Sequence, residues 1–192
     1  GGESLMGQDV NYYKDLLAKH GSTHAAVDCG SQYTHQRRLQ VLAEVIHNHT
    51  DSILDVGCGL GHFLDYGPAC RKEDYLGIDI LPEMVEAALL RRPGWRFEEG
   101  DIHHPNPLWA ADYVVASGLF QFPPVFAETF RNLFMLCKKG MAVNFLRIGS
   151  ANEYVLRPEQ VAYAAFELTP YVILRADYLP NDFTLYLYKE KQ

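Results

Sequence analysis

The chain has 192 residues and a formal net charge of −7, and 48% of its residues are hydrophobic. This length suits one domain with a sizeable core, while the acidic balance disfavours a nucleic-acid partner, since such proteins usually present a basic face. No apolar run approaches the ~20 residues of a membrane span, and the cysteines lack the paired spacing of a zinc site or disulfide framework. We therefore expect a soluble, cytoplasmic monomer or homodimer without metal, nucleic-acid or membrane partners.

The first part of the chain alternates amphipathic segments with short apolar runs. Apolar residues at helical spacing predict a helix, and short buried runs between turn residues predict strands. In chain order we predict a helix over Gln36–His47, a strand over Ser52–Val56, a glycine-rich loop with a short helix stopped by Gly67 and Pro68, a strand over 75–80, a helix opened by Pro82, a strand over Arg96–Glu98 and a strand over 112–118.

The second part continues this alternation and then changes. We predict a helix over 125–139 that Gly140 ends, a strand over 141–147, a helix from Pro158 to Leu168, and two adjacent strands, 171–178 and 183–189, joined by a turn at 179–182. Alternating strands and helices imply an α/β fold with a parallel sheet covered on both faces. The closing hairpin adds an antiparallel strand at or near the sheet edge.

Three glycines follow the first strand in "ILDVGCGLGHF", at positions 57, 59 and 61. Ligands of open α/β sheets lie at the carboxyl ends of the strands, and glycines there let the backbone turn sharply and a ligand approach closely. A tight turn that binds nothing is the alternative. The spacing differs from the G-x-G-x-x-G of dinucleotide sites, and Asp55 inside the strand would be unfavourable beside a pyrophosphate. An acid there suits a ligand that carries an ammonium group.

Two further acids end the next two strands. Asp79 can accept both hydroxyls of a ribose, or it can cap the helix that Pro82 opens. Asp101 can accept from an exocyclic amine while Ile102 packs on the ring, or it can be an ordinary loop acid. A ligand with an ammonium, a ribose and an adenine, and without a phosphate grip, is S-adenosylmethionine.

These segments together resemble the class I S-adenosylmethionine-dependent methyltransferases. "ILDVGCGLGHF", "YLGIDI", "EEGDI" and "DYVVASGLFQF" are similar to the first four family motifs, and "SQYTHQRRLQVL" resembles the segment before the first strand. The resemblance implies a Rossmann-like three-layer sandwich whose mostly parallel seven-stranded sheet has the order 3-2-1-4-5-7-6, with strand 7 antiparallel. It also implies S-adenosyl-L-methionine as cofactor, S-adenosyl-L-homocysteine as product, a methyltransferase domain over 36–192 and an N-terminal substrate lid over 1–35.

Carried over by position, the resemblance implies a cofactor site built from the motif residues. Arg38, Gln36 and Tyr33 are candidates for the cofactor carboxylate, although Arg37 and Arg38 could simply form a solvated helix face. The other expected cofactor contacts are Asp55, Gly57, Cys58, Gly59 and Gly61 in the first motif, Asp79, Ile80 and Met84 around the second, Asp101 and Ile102 in the third, and Ser117, Gly118 and Leu119 in the fourth.

The expected reaction is methyl transfer to an oxygen or nitrogen of a small molecule. Such a transfer depends mainly on positioning, and a general base matters for a hydroxyl more than for a carboxylate or neutral amine. His24, His35 and His104 are candidate bases, whereas His62 and His103 are expected in packing and in the outer loop. The expected acceptor pocket comprises Tyr12, Tyr13 and Tyr33, then Phe120, Gln121 and Phe122, then Asn152, Glu153 and Tyr154.

Two other functions remain open at this point. A non-catalytic cofactor-binding or interaction subunit could retain the same fold and the same motifs. An NAD-dependent oxidoreductase is disfavoured by Asp55 and by the position of Gly61. The loop "SGLFQFPP" lacks the N-P-P-[YF] pattern of enzymes that methylate base or amide nitrogens, which argues against DNA and protein glutamine as substrates.

Overall fold

A computed structural model describes residues 5–27, 31–119, 126–147 and 156–192. Its core is a seven-stranded sheet of order β3-β2-β1-β4-β5-β7-β6, as the resemblance implied. Strands β1 to β5 are parallel, and β7 is antiparallel to both β5 and β6. The strands are β1 Ile53–Val56, β2 Tyr75–Asp79, β3 Phe97–Glu99, β4 Ala111–Ala116, β5 Cys137–Leu146, β6 Val172–Arg175 and β7 Asp182–Tyr188.

Six α-helices accompany the sheet in the described part of the chain. Pro82 and Pro158 stand at helix starts, where a missing N–H costs nothing. The helices are α1 Leu5–His20, α2 Gln32–Ala43, α3 Phe63–Tyr66, α4 Pro82–Arg91, α5 Phe126–Leu136 and α6 Pro158–Leu168, with 3-10 turns at His24–Val27, Lys72–Asp74 and Pro107–Trp109.

The sheet has an apolar core on each face. Leu54 and Val56 of β1 belong to one buried cluster, which includes residues of α5 and α6. Ile53 belongs to the other, together with residues of α2 and α4. This alternation follows from the two-residue period of a strand, and burial on both faces explains why β1 is almost wholly apolar.

Both predicted boundaries of the helix over Gln36–His47 are wrong. The second helix begins at Gln32, four residues early, because the Ser31 hydroxyl caps it by accepting from the Thr34 N–H at 3.1 Å; it ends at Ala43 instead of His47. Position 35, the expected lid boundary, therefore lies inside α2.

The helix predicted over 125–139 ends at Leu136. Cys137 pairs with Ala111 of β4, and the Lys139 ammonium bonds Asp51 at 2.7 Å, so these residues extend β5. Gly140 therefore does not stop a helix. It lies opposite Tyr188, whose Cδ1 would be 2.8 Å from a Cβ at this position.

The N-terminal segment packs against the glycine loop. Ala26, Leu60 and Met84 share a small buried cluster, which Leu17 and Val27 contact. Lys14 of α1 also forms a 2.8 Å ion pair with Glu83 of α4. The predicted lid segment thus contacts the carboxyl edge of the sheet, above β1 and β2. No helix in the described ranges is long and apolar enough to cross a membrane.

Candidate functional site

The glycine loop is held by β2 and flanked by two apolar side chains. The N–H groups of Gly57 and Cys58 donate to the Ile78 carbonyl at 2.8 and 3.0 Å. Gly57 and Gly59 have φ angles of +69° and +51°, a region that glycine adopts without strain. A Cβ at Gly57 would lie 3.4 Å from Leu119 Cδ1, and one at Gly59 would lie 3.0 Å from Val27 Cγ1.

Gly61 has a packing role in this structure. A Cβ at this position would lie 2.7 Å from Cζ of Phe97, the first residue of β3. The same ring lies 2.7 Å from the Cβ position of Gly77 in β2. The missing side chain of Gly61 therefore makes room for Phe97, and the expectation that it admits a ligand has no support in the geometry.

Asp79 connects the three loops at the ends of β1, β2 and β3. Its Oδ2 accepts from the Gly59 N–H at 2.9 Å, and its Oδ1 accepts from the Leu81 N–H at 3.0 Å. Its carbonyl accepts from the Gly100 N–H at 2.9 Å. Burial raises the pKa of Asp79, and the backbone N–H groups oppose that shift. The carboxylate is therefore oriented beside the glycine loop by these backbone N–H groups.

The expected N-cap role of Asp79 takes a different form. Leu81 is the N-cap residue of α4 and makes no side-chain cap. Asp79 instead bonds the Leu81 N–H two residues ahead, in an Asx turn before the helix. This turn holds the carboxylate beside Ile80, whose side chain is 41% exposed, so an apolar surface lies next to the acid.

The loop after β3 forms a tight turn around Asp101. Asp101 Oδ1 accepts from the His103 N–H at 2.9 Å, and the structure gives Oδ2 no partner among the described residues. Ile102 is buried in the core, and Asn132 of α5 donates to its carbonyl at 2.9 Å. The Asp101 carboxylate is partly exposed and lies one residue from Gly100, which Asp79 holds.

Asp55 lies beneath the glycine loop in the core. Its carboxylate accepts from the Tyr75 hydroxyl at 2.8 Å, and burial raises its pKa to about 7. Only 5% of the residue is exposed, so contact with a ligand ammonium is not supported. The Cys58 thiol is likewise buried, and burial raises its pKa.

The three candidates for the cofactor carboxylate lie on α2 in different environments. Tyr33 is 68% exposed, and Gln36 is half-buried. Arg38 is only 8% exposed, so the alternative of a solvated helix face is wrong for it. Its Nε and Nη2 donate to the two carboxylate oxygens of Asp182 at 2.6 and 3.1 Å, a bidentate ion pair. This pairing supports a structural role for Arg38 and leaves Gln36 and Tyr33 as the accessible candidates.

The candidate bases are not brought together around one reacting position. His35 is buried, and its ring meets the His62 ring edge-on, with centroids 4.9 Å apart. Burial, and then the nearby cationic groups, lower the pKa of His35 to about 3 and that of His62 to about 4, so both rings are neutral near pH 7. His24 is half-buried in the lid segment, and His104 is exposed.

The remaining expected residues fall into three groups. Met84 is buried under the lid segment, which supports packing more than ligand contact. Ser117, Gly118 and Leu119 are half-buried after β4, and Leu119 lies beside Gly57. The pocket positions Phe120, Gln121, Phe122, Asn152, Glu153 and Tyr154 lie outside the described residues. Within the described ranges, no group of three or more His, Cys, Asp or Glu residues could hold a metal ion.

Four contacts at this site were not expected from the sequence: Tyr75 with Asp55, Asp182 with Arg38, Val27 with Gly59 and Asn132 with Ile102. The first has a local signal, because the parallel register sets Asp55 opposite Gly77, two residues from Tyr75. The other three join distant segments, and spacing alone does not reveal them.

Known proteins are similar to this chain in sequence and in fold. A family described as "Methyltransferase domain" matches residues 54–141. Rv1506c of Mycobacterium tuberculosis, whose name describes it as a candidate methyltransferase, is 51% identical over 70 residues, 36% of this chain and 42% of that protein. Trans-aconitate 2-methyltransferase of Rhizobium etli is 33% identical over 98 residues, 48% of this chain and 37% of the relative. The chain spans less than half the length of these curated relatives.

Among solved structures, the N-methyltransferase NodS of Bradyrhizobium japonicum WM9, in complex with S-adenosyl-L-homocysteine, has the same fold. The TM-score is 0.70 at 15% identity, over 93% of this chain and 97% of NodS. The fold and strand order are those of the class I, Rossmann-like methyltransferases. The match of residues 54–141 to a methyltransferase domain and the shared strand order both support the resemblance to the class I S-adenosylmethionine-dependent methyltransferases.

Proposed function

We propose that the chain is an S-adenosylmethionine-dependent methyltransferase that transfers the methyl group to an oxygen or nitrogen of a small molecule. The central position of Asp79 carries the proposal. The half-buried Asp79 carboxylate accepts from the Gly59 N–H, and the backbone carbonyl of Asp79 accepts from the N–H of Gly100, next to Asp101. The Asp79 carboxylate, which could accept from a ribose, and the Asp101 carboxylate, which could accept from an amine, are thereby held at neighbouring strand ends. Both lie beside the glycine loop, where a ligand can come close to the backbone.

The described residues fit this cofactor part by part. Asp79 would accept from the ribose hydroxyls through the acceptor capacity that its backbone N–H partners leave unused. Asp101 Oδ2 would accept from the adenine amine, and the exposed Ile80 would lie against the ring. The methionine portion would lie along the Gly57 backbone, near Leu119. Gln36 and Tyr33 are our candidates for its carboxylate.

When bound, S-adenosylmethionine supplies an electrophilic methyl group on a sulfonium. The chain's contribution is to orient the reactants and to exclude water, which together supply much of the rate in such displacements. Val27 on the lid segment lies against Gly59 and would shield this part of the site from solvent. No general base is required if the acceptor is a carboxylate or a neutral amine. If a base is used, His24 on the lid segment is better placed than the buried His35.

The small-molecule acceptor is supported by the relatives and by the lid segment. The Rhizobium etli relative is named for trans-aconitate, a small carboxylic acid. Tyr12, Tyr13 and Tyr33 lie on or near the lid segment, and the rings of Tyr12 and Tyr13 meet edge-on at 5.4 Å. Tyr12 and Tyr33 are exposed, whereas Tyr13 is half-buried. Exposed tyrosines beside a cofactor would provide a flat apolar surface with hydroxyl groups, which suits a small planar acceptor better than a polymer.

Calorimetric titration with S-adenosylmethionine and S-adenosylhomocysteine, with NAD as the negative control, tests the cofactor. We expect Asp79→Asn to weaken S-adenosylhomocysteine binding about tenfold or more, because a hydrogen bond to a charged group contributes ~1.5–3 kcal/mol. Asp74→Asn is the matched control, since Asp74 lies at the amino end of β2 and pairs with Arg71. Equal affinity in wild type and folded Asp79→Asn would contradict the ribose placement.

Transfer of a labelled methyl group to carboxylic acids, amines and phenols tests the enzymatic part of the proposal. Turnover on one acceptor class would support a methyltransferase and identify the nucleophile. Tight cofactor binding without turnover on any acceptor would favour the non-catalytic subunit. Binding of NAD instead would support the oxidoreductase and overturn the proposal.

A further inference from the structure

We propose that Asn132 of α5 is a positioning residue for adenine recognition, acting through the peptide unit that joins Ile102 to His103. This inference rests on the proposed function, because the group that it orients is the Asp101 carboxylate. Asn132 is not in any of the methyltransferase-like motifs and lies about thirty residues further along the chain. The observation behind this role is the hydrogen bond from Asn132 on α5 to the Ile102 carbonyl, in the loop after β3.

The loop from Gly100 to His104 is a compact turn with a fixed start. The Gly100 N–H bonds the Asp79 carbonyl at 2.9 Å, and the His104 N–H bonds the Asp101 carbonyl at 2.9 Å. The ring of Trp109 packs directly on Gly100, with Cη2 2.7 Å from the Cβ position. The backbone on both sides of Asp101 is therefore fixed, and the orientation of its carboxylate depends on the next peptide unit.

That peptide unit is held at both of its polar ends. The Ile102 carbonyl accepts from Asn132 Nδ2 at 2.9 Å, and the His103 N–H donates to Asp101 Oδ1 at 2.9 Å. Both groups belong to one planar trans peptide, so they point in opposite directions and rotate together. By fixing the carbonyl, Asn132 aims the N–H at Oδ1, so that Oδ2 would remain available to accept from the adenine amine.

The surroundings of Asn132 favour this role over general packing. Asn132 is half-buried on α5, while the neighbouring Thr129 contacts the His103 ring, with its Oγ1 3.4 Å from Nδ1. The Thr129 contact involves a side chain that can rotate without moving the peptide. The Asn132 contact involves the backbone itself, so its loss would free the peptide to turn and release Asp101.

The test compares S-adenosylhomocysteine with S-inosylhomocysteine, in which a carbonyl oxygen replaces the adenine amine. A fixed Asp101 carboxylate accepts from the amine and repels the carbonyl, so wild type should prefer the adenine ligand. In Asn132→Leu and Asn132→Asp we expect this preference to fall about tenfold, mainly through weaker binding of the adenine ligand, as for a lost charge-assisted hydrogen bond. Asn106→Ala is the matched control, because Asn106 caps only the Leu108 N–H in the same connection.

Hydrogen exchange at the His103 amide provides a readout that needs no ligand. We expect faster exchange in both Asn132 variants and unchanged exchange in Asn106→Ala. An unchanged ligand preference with unchanged His103 exchange, in variants with the wild-type melting temperature, would overturn the role of Asn132 alone. Failure of wild type to bind either ligand would overturn the proposed function, and with it the role in adenine recognition, whatever the exchange rates show.

Discussion

Replacing Gly61 with alanine tests the packing that supports the glycine loop. Gly61 has a φ of +72°, where an alanine costs about 1–2 kcal/mol. Its new Cβ would also lie 2.7 Å from Phe97 Cζ, and a contact this short requires the ring to move. Phe97 is buried and also lies against Gly77, so it has little room. Overpacking of this kind costs about 1–3 kcal/mol, and the total loss should be about 2–5 kcal/mol.

Urea unfolding of four variants, Gly61→Ala, Gly94→Ala, Phe97→Leu and the double substitution of Gly61 and Phe97, separates the two contributions. Gly94→Ala isolates the backbone cost, because Gly94 has a φ of +81° and its Cβ would meet only the flexible end of Lys72, at 3.2 Å. We expect Gly61→Ala to lose about 1–3 kcal/mol more than Gly94→Ala. Adding Phe97→Leu to Gly61→Ala should cost less than the sum of the two single substitutions. Equal losses for Gly61→Ala and Gly94→Ala would refute the steric argument.

Two further predictions concern buried groups. Because burial lowers the pKa of His35 to about 3 and of His62 to about 4, the unfolded chain takes up protons below pH 6.5 that the folded chain excludes. This contribution lowers the free energy of unfolding between pH 6.5 and 4, whereas the raised pKa of Asp55 acts in the opposite direction. Urea titrations of the two proteins should therefore show that His35→Phe loses less stability than wild type between pH 6.5 and 4. An identical pH dependence in both proteins would count against these shifts. Arg38→Met leaves the Asp182 carboxylate buried without its cation and should lower the free energy of unfolding by about 3–5 kcal/mol. In a double-mutant cycle, Asp182→Leu should recover part of this loss, whereas simple additivity would show that the two residues do not interact.

Much of the fold could be predicted because its signals are local. The helix over Pro158–Leu168 matches its prediction at both ends, since Pro158 starts it and Pro170 follows its end. The region around Cys137 could not be predicted in this way. Lys138, Lys139 and Gly140 have the character of a helix end, but pairing with β4 and β7 outweighs that local preference and extends the strand.

The site shows the same division between local and distant signals. Asp79 ends β2 and Asp101 comes two residues after β3, so the positions of both acids at strand ends that meet at one edge have a local signal. The predicted contact of Arg38 with a cofactor has no structural support, because Arg38 is paired with Asp182. Spacing could not reveal this pair, because the two residues lie 144 positions apart in the chain. Spacing also cannot show that the ring of Phe97 occupies the space left by Gly61. A sequence pattern thus locates the groups along the chain, but it does not reveal which of them are already engaged.

The position of β7 in the sheet delays the completion of the fold during translation. β7 lies between β5 and β6 although it follows both in the chain. During translation, β5 and β6 therefore emerge before the strand that pairs with both of them, and their edges remain unpaired until β7 is synthesised. Asp182 arrives with β7 and only then pairs with Arg38 on α2. The helix that carries Gln36 and Tyr33 is thus anchored late, so nascent chains that stop short of β7 should be recognised by chaperones and should not yet retain the cofactor.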